Sequence, residues 1–151
     1  MREIASVEEL KTLVGQEVAI SDWVDITQER VNLFAEATGD RQWIHVDVER
    51  SRKESPYGGT IAHGFLTLSL LPMLMEQEID MSAFRMGVNY GLNKVRFPAP
   101  VLVGSRLRGR MTLLSVEDIA GGVQMIWQVT MECEGGEKPV CIAESISRRY
   151  L

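Results

Sequence analysis

Cysteine is nearly absent from this chain, with Cys133 and Cys141 the only two in 151 residues. Two thiols without metal-ligand spacing exclude a disulfide scaffold and a cysteine-rich zinc module. They flank a Gly-rich turn and could approach across a hairpin, but free thiols in a reducing cytoplasm are the expectation. Long apolar runs are missing too. The longest, Phe65 to Met75, is interrupted by Thr67, Ser69 and Pro72 and is too short to span a bilayer. Met1-Arg2-Glu3-Ile4 brings in an acidic residue at once, so no secretory signal is expected there. Positive charge is in deficit: 16 Lys and Arg against 21 Asp and Glu leave a net −5. That balance gives no general attraction to nucleic acid or to an anionic membrane. Repeats, linkers and low-complexity tracts are lacking, so one domain over residues 1–151 is expected. Histidine is equally scarce, and both copies, His45 and His63, fall in one stretch.

What is present divides the chain into a helical part and a strand part. Ser6-Val7-Glu8-Glu9 has capping-box spacing and predicts a short helix ending near Gly15. Glu17 to Ile26 reads as a strand, and Thr27 caps a second helix that Gly39 ends in a left-handed turn. Asp47 to Ser55 reads as a solvated helical turn. From Ala62 to about Gln77, large apolar residues fill most of a helical circumference, which predicts a buried helix bent at Pro72. Beyond it, Arg106 to Leu113 and Val123 to Glu132 alternate polar with apolar, the signature of half-buried strands. Gly121-Gly122 and Gly135-Gly136 supply turns. With Arg85 to Phe97 and Val140 to Tyr150, the pattern predicts an α+β fold, a curved antiparallel sheet wrapped on a central helix.

Chemistry concentrates between residues 37 and 69. Asp40 and His45 stand five positions apart across a turn, where a carboxylate and an imidazole can share a water and move protons. The plainer reading makes Asp40 a turn cap and His45 a half-buried loop residue. His63-Gly64 opens the apolar helix, so backbone N–H groups lie free beside a glycine that a ligand can approach. Equally, that glycine can serve only to pack against a strand. Ser69 can bond a ligand or return its hydroxyl to the carbonyl of Phe65. Trp43 is a core or pocket-wall residue by type. No third ligand joins the His45-x-Asp47 pair at a recognisable spacing, so no metal is expected. No Ser sits in a G-x-S-x-G elbow. Lys94, Arg96, Arg106, Arg108 and Arg110 read as a solvated sheet face that could also meet phosphates.

Three blocks together resemble the MaoC-like dehydratases, the (R)-specific enoyl-CoA hydratase group of the hotdog fold. They are Phe34 to His45 with Ala37-Thr38-Gly39-Asp40 at its centre, Ile61-Ala62-His63-Gly64-Phe65-Leu66-Thr67-Leu68-Ser69, and Lys94-Val95-Arg96-Phe97-Pro98-Ala99-Pro100-Val101. The branch that it resembles most is that of the nodulation-protein-N-like proteins, where Gln42-Trp43-Ile44-His45 replaces Asn-Pro-x-His.

The resemblance implies that Asp40 and His45 are a catalytic pair acting on a trans-2-enoyl thioester. It also implies that the Gly64 N–H receives the thioester carbonyl and that Ser69 supports the pair, with His63 and Trp43 near the substrate. Phe65, Leu66, Met73 and Trp43 are expected to line an acyl tunnel. No cofactor is expected beyond coenzyme A or an acyl carrier protein as part of the substrate. A homodimer is the expected assembly, without nucleic-acid or membrane partners. A thioesterase and a non-catalytic acyl-thioester-binding subunit are the alternatives on the same fold.

Overall fold

The computed structural model describes residues 1–151. A short β1 (Arg2–Glu3) leads to α1 (Val7–Thr12). There Ser6 Oγ accepts the Glu9 N–H at 3.1 Å, and the Glu9 carboxylate accepts the Ala5 N–H at 3.0 Å, which satisfies two otherwise orphaned donors. The single strand expected over Glu17 to Ile26 is divided into β2 (Glu17–Ile20) and β3 (Val24–Asp25). Ser21 causes the interruption. Its N–H bonds the Gly109 carbonyl, while its hydroxyl, in place of its own carbonyl, accepts the Gly109 N–H, both at 2.9 Å.

Between the strands lie α2 (Gln28–Thr38), α3 (Trp43–Val46), α4 (Val48–Glu54), α5 (Gly64–Ser69) and α6 (Leu71–Glu78). β4 (Ile79–Asp80) then pairs with β1 in parallel. The last part holds β5 (Met86–Arg96), β6 (Arg106–Ile119), β7 (Gly122–Cys133) and β8 (Cys141–Tyr150). The antiparallel sheet runs in the order β2-β6-β7-β8-β5, with β3 also against β6. Consecutive strands β6, β7 and β8 pair in turn, the first two across a tight turn where Gly121 takes φ 78° and the last two across a loop over residues 134–140.

The strand alternation translates directly into burial. Leu107, Met111 and Leu113 of β6, and Val123, Met125, Trp127, Val129 and Met131 of β7, all point into one apolar cluster. The opposite face carries Arg106, Arg108 and Arg110, paired with Glu134, Glu132 and both Glu17 and Glu132. Those carboxylates occupy three of the five cations read as a basic run. Inside, α6 is seated by Leu74, fully buried and close to Gly109, where an added Cβ would stand 3.3 Å from Leu74 Cδ1.

The helix expected from Ala62 to Gln77 comes in two pieces joined at Leu70, which keeps right-handed backbone angles and so continues the path. Pro72 lies in the first turn of α6, where its missing N–H costs nothing. Burial is also less complete than an apolar circumference implies, since Phe65 is 68% exposed. Cys133 and Cys141 are free, and burial pushes the Cys141 thiol up to about 11. Leu74→Ala is expected to lower stability by about 2 to 5 kcal/mol, read as a shifted urea midpoint with an unchanged circular-dichroism spectrum.

Candidate active site

Local sequence delivers the two histidines to one place by different routes. α2 ends where Gly39 adopts φ 81°, the left-handed conformation that glycine accommodates without steric cost. The chain reverses there, and the Asp40 carboxylate accepts the Gln42 N–H at 3.3 Å, closing the turn that precedes α3. His45 lies in α3 and is buried. Its partner arrives as the N-cap of α5, where His63 is 3% exposed.

Both rings are held by backbone carbonyls. His45 Nδ1 lies 2.7 Å from the Ile61 carbonyl, and His63 Nε2 lies 3.0 Å from that of Asp40. A carbonyl only accepts, so each of these nitrogens carries the proton. His45 Nε2 therefore keeps its lone pair, as a general base requires. The rings stack at 3.9 Å between centroids and 24° between planes. Phe34 of α2 tilts against the far side of His63 at 4.9 Å.

Asp40, His45 and His63 bring ligand-type atoms within 4.8 Å of one another. Imidazole lone pairs lie in the ring planes, and two planes stacked only 24° from parallel keep them from converging on one ion. The arrangement therefore suits proton exchange better than metal capture. Asp40 stays exposed, whereas burial lowers the proton affinity of His45, and the nearby His63 adds to the effect. The bond to Ile61 and the Asp40 carboxylate oppose it.

His45 and Gly64 line one depression of about 380 Å3 together with Tyr57, Thr67 and Phe97. Gly64 is the first residue of α5, so its N–H has no acceptor within the helix. Both sequence readings of this glycine apply. It leaves the backbone approachable, and a Cβ there would come 3.1 Å from the Phe97 ring.

Ser69 and Trp43 stand apart from this cluster. The Ser69 hydroxyl is exposed and donates to the Phe65 carbonyl at 2.6 Å, which is the alternative weighed for it from sequence. Trp43 is half-buried, its ring covered by Arg50 at 4.2 Å. Neither lines the His45 depression. The expected tunnel wall changes likewise, because Leu66 points into the core and Phe65 outward.

Sequence reasoning passed over Gln28, Phe34 and Thr67. Gln28 Nε2 donates to the His45 carbonyl at 2.8 Å while its Oε1 accepts the Thr60 hydroxyl at 2.6 Å, so α2 braces the His45 turn. Thr67 could have been found from its spacing, since it follows Gly64 by three positions on the same helical face.

Residues 9–133 match the family described as the MaoC like domain. The chain belongs to the MaoC-like family. It is 56% identical over 149 residues to 3-hydroxyacyl-thioester dehydratase Z of Mycobacterium tuberculosis, covering 98% of each chain. It is 46% identical over 151 residues to nodulation protein N of Rhizobium meliloti, covering 97% of this chain and 92% of that one. The unliganded R-hydratase PhaJ1 from Pseudomonas aeruginosa superposes with a TM-score of 0.69 at 25% identity, over 89% of this chain and 79% of that one. The sheet wrapped on α5 and α6 is thus the hotdog fold of this MaoC-like protein.

Because burial depresses the His45 pKa, the folded protein takes up fewer protons than the unfolded chain as pH falls. The stability that His45 contributes is complete above the ordinary imidazole value of about 6.5 and is lost as pH drops below it. Urea midpoints should therefore fall between about pH 7 and pH 5, and His45→Gln should flatten that slope. An identical slope in the variant would contradict the assignment.

Proposed function

We propose that this MaoC-like protein adds water to trans-2-enoyl thioesters, giving (R)-3-hydroxyacyl thioesters, or runs the reverse dehydration, within fatty-acid metabolism. One observation carries the reading. His45, with an unprotonated Nε2, stands within 4.8 Å of the Asp40 carboxylate cluster and in the same depression as the Gly64 N–H. The dehydratase and R-hydratase names of its relatives support the same chemistry.

In this reading the thioester oxygen sits on the Gly64 N–H. That contact draws electrons from C3 and stabilises the enolate-like charge that builds on the oxygen as water attacks. Asp40 and His45 hold the water, His45 Nε2 takes its proton, and a proton is returned to C2. Neither metal nor redox cofactor takes part, because the reaction transfers only water. Coenzyme A or an acyl carrier protein enters as part of the substrate.

His63 works behind this pair. Through Asp40's carbonyl it ties the acid-bearing turn to the start of α5, and its ring supports His45 from beneath. Coarser properties agree: no helix is long and apolar enough to cross a membrane. We place the protein in the cytoplasm, in keeping with its unpaired thiols.

We further infer a homodimer formed along β5. That edge strand spans 11 residues and exposes Met86, Val88, Tyr90 and Leu92, an arrangement that isolated sheets normally avoid. Light scattering should return twice the chain mass at micromolar protein, and a stable monomer would remove the inference.

The decisive assay follows the loss of enoyl absorbance with a crotonyl thioester and the configuration of the product. Asp40→Asn and His45→Gln should each reduce kcat by at least about 100-fold while the fold survives. Gly64→Ala, which presses on Phe97, should also slow the reaction. Wild-type rates in both charge-pair variants would refute the proposal. Release of free thiol would point to a thioesterase, and binding without product to a non-catalytic subunit.

A further inference from the structure

A second feature lies at the opposite end of the α5–α6 pair from His45. A cavity of about 120 Å3 is enclosed by α6 and by strands β5, β7 and β8. Its walls are apolar on the helix side, with Leu71, Pro72 and Met75, but the sheet side is rich in hydrogen-bond donors. Trp127 lines it, is 1% exposed, and has an indole N–H that is buried without an acceptor. An indole N–H can only donate, and leaving it unpaired in the interior is costly.

Arg149 of β8 lines the same cavity and forms no ion pair. Its Nε rests against Met81 Sδ at 3.3 Å, a weak acceptor for so strong a donor. Burial works against its charge, and Glu76, also at the cavity, relieves it only from a distance. Room for the guanidinium comes from Gly87, where an added Cβ would overlap Arg149 Nη1. Ser145, Ser147 and Asn89 complete the polar side.

The cavity is not isolated. A neighbouring depression of about 370 Å3 shares Leu71, Pro72, Asn89 and Ser145 with it and begins at Leu68 and Ser69. Gly64, Leu68, Leu71, Met75 and Ile79 follow one another at intervals of three or four, so they mark one side of the helical pair. Gly64 at one end of that side lines the His45 depression, Leu68 and Leu71 line the middle one, and Leu71 and Met75 line the cavity that holds Arg149. From Gly64 to Met75 the rise is about 16 Å, the reach of a medium-length acyl chain.

We propose that this cavity receives the far end of the acyl group, and that this end carries an oxygen acceptor, a ketone or a carboxylate, in place of a plain methyl. The inference rests on the enoyl-thioester reading above and narrows its substrate class. Arg149 or, for a shorter chain, Trp127 would donate to that oxygen, the two standing at different levels of the sheet, Trp127 opposite Ser145 and Arg149 opposite Val123. A methyl terminus would leave the Trp127 N–H unpaired and would gain only contacts with Leu71 and Met75.

The test compares kcat/KM of the whole protein on trans-2-enoyl thioesters of equal length, in a series from about 8 to 14 carbons to bracket that helical rise. Each length is made with a methyl, a methyl-ketone or a carboxylate terminus, and a crotonyl thioester serves as reference. At the length that reaches Arg149, an oxygen-terminated chain should be preferred over the methyl-terminated one by about 10- to 100-fold. In Arg149→Met the ratio between the two should fall to near one, a comparison insensitive to any general loss of folded protein. Equal or better turnover of the methyl chain at every length would overturn the inference while leaving the hydratase reading intact. So would a preference that survives in Arg149→Met. Failure to turn over even crotonyl thioester would defeat the hydratase reading instead. In that case the indole N–H resonance of Trp127, followed during titration with a free medium-chain monocarboxylate and with the alkyltrimethylammonium of the same chain length, decides for the cavity. A shift produced by the carboxylate alone supports the inference, and no shift with either, or an equal shift with both, overturns it.

Discussion

The proposed catalytic geometry depends on a single arrangement, two imidazole rings each hung from a backbone carbonyl and stacked on one another. Hydrogen bonds to main chain are unusually rigid anchors for a side chain, because the carbonyls belong to segments already fixed by helix and sheet. Ile61 is pinned by its bridge to Leu102, and its N–H bonds the Ile44 carbonyl at 3.0 Å, so the anchor of His45 is itself anchored. Once Nδ1 is committed, the tautomer is no longer free and the reactive nitrogen is determined. Burial then keeps the ring neutral near physiological pH, which a base needs. His63, facing the same ring, adds to the cost of charging it.

The sheet provides what this arrangement needs, a dry concave surface that holds α5 and α6 still. Leu74, seated over Gly109, and the inward rows of β6 and β7 make the helix position a packing decision and not a loop preference. The His63–Gly64 corner is thereby set opposite Phe97, and the pocket beside His45 acquires a fixed width. At the other end the same packing encloses the Trp127 N–H without an acceptor and sets Arg149 beside it, its Nε against Met81 Sδ. One scaffold thus presents the stacked histidines at one end of a helix and an unsatisfied donor at the other. The side of the helix between them is lined by apolar residues at helical spacing.

Much of this was legible in advance where the signal was local. The Ser6 cap, the Gly39 turn, the alternating strands and the apolar helix each follow from patterns only a few residues long, and their physics is local too. The boundaries that differed were settled by partners distant in sequence. Ser21 divides a strand because Gly109 lies across from it. The central helix parts at Leu70 while Pro72 sits harmlessly in a first turn. Ser69 turned its hydroxyl back to its own helix, onto the Phe65 carbonyl. The groove beside the helix is lined by Leu68, Leu71, Pro72 and Met75 and not by Phe65 and Leu66, because which residues of an apolar helix face a groove depends on how the helix is rotated against the sheet.

By itself the sequence determined the α+β order of elements, the family, and the pairing of Asp40 with His45 across a turn. These follow from hydrophobic period, turn chemistry and a five-residue spacing, none of which requires knowledge of distant contacts. Only the tertiary structure decided that His63 would lie under His45, that Nδ1 and not Nε2 of His45 would hold the proton, and that Arg149 and Trp127 would share a cavity. Those outcomes depend on which carbonyls and side chains from remote segments meet, and a one-dimensional pattern carries no record of such meetings.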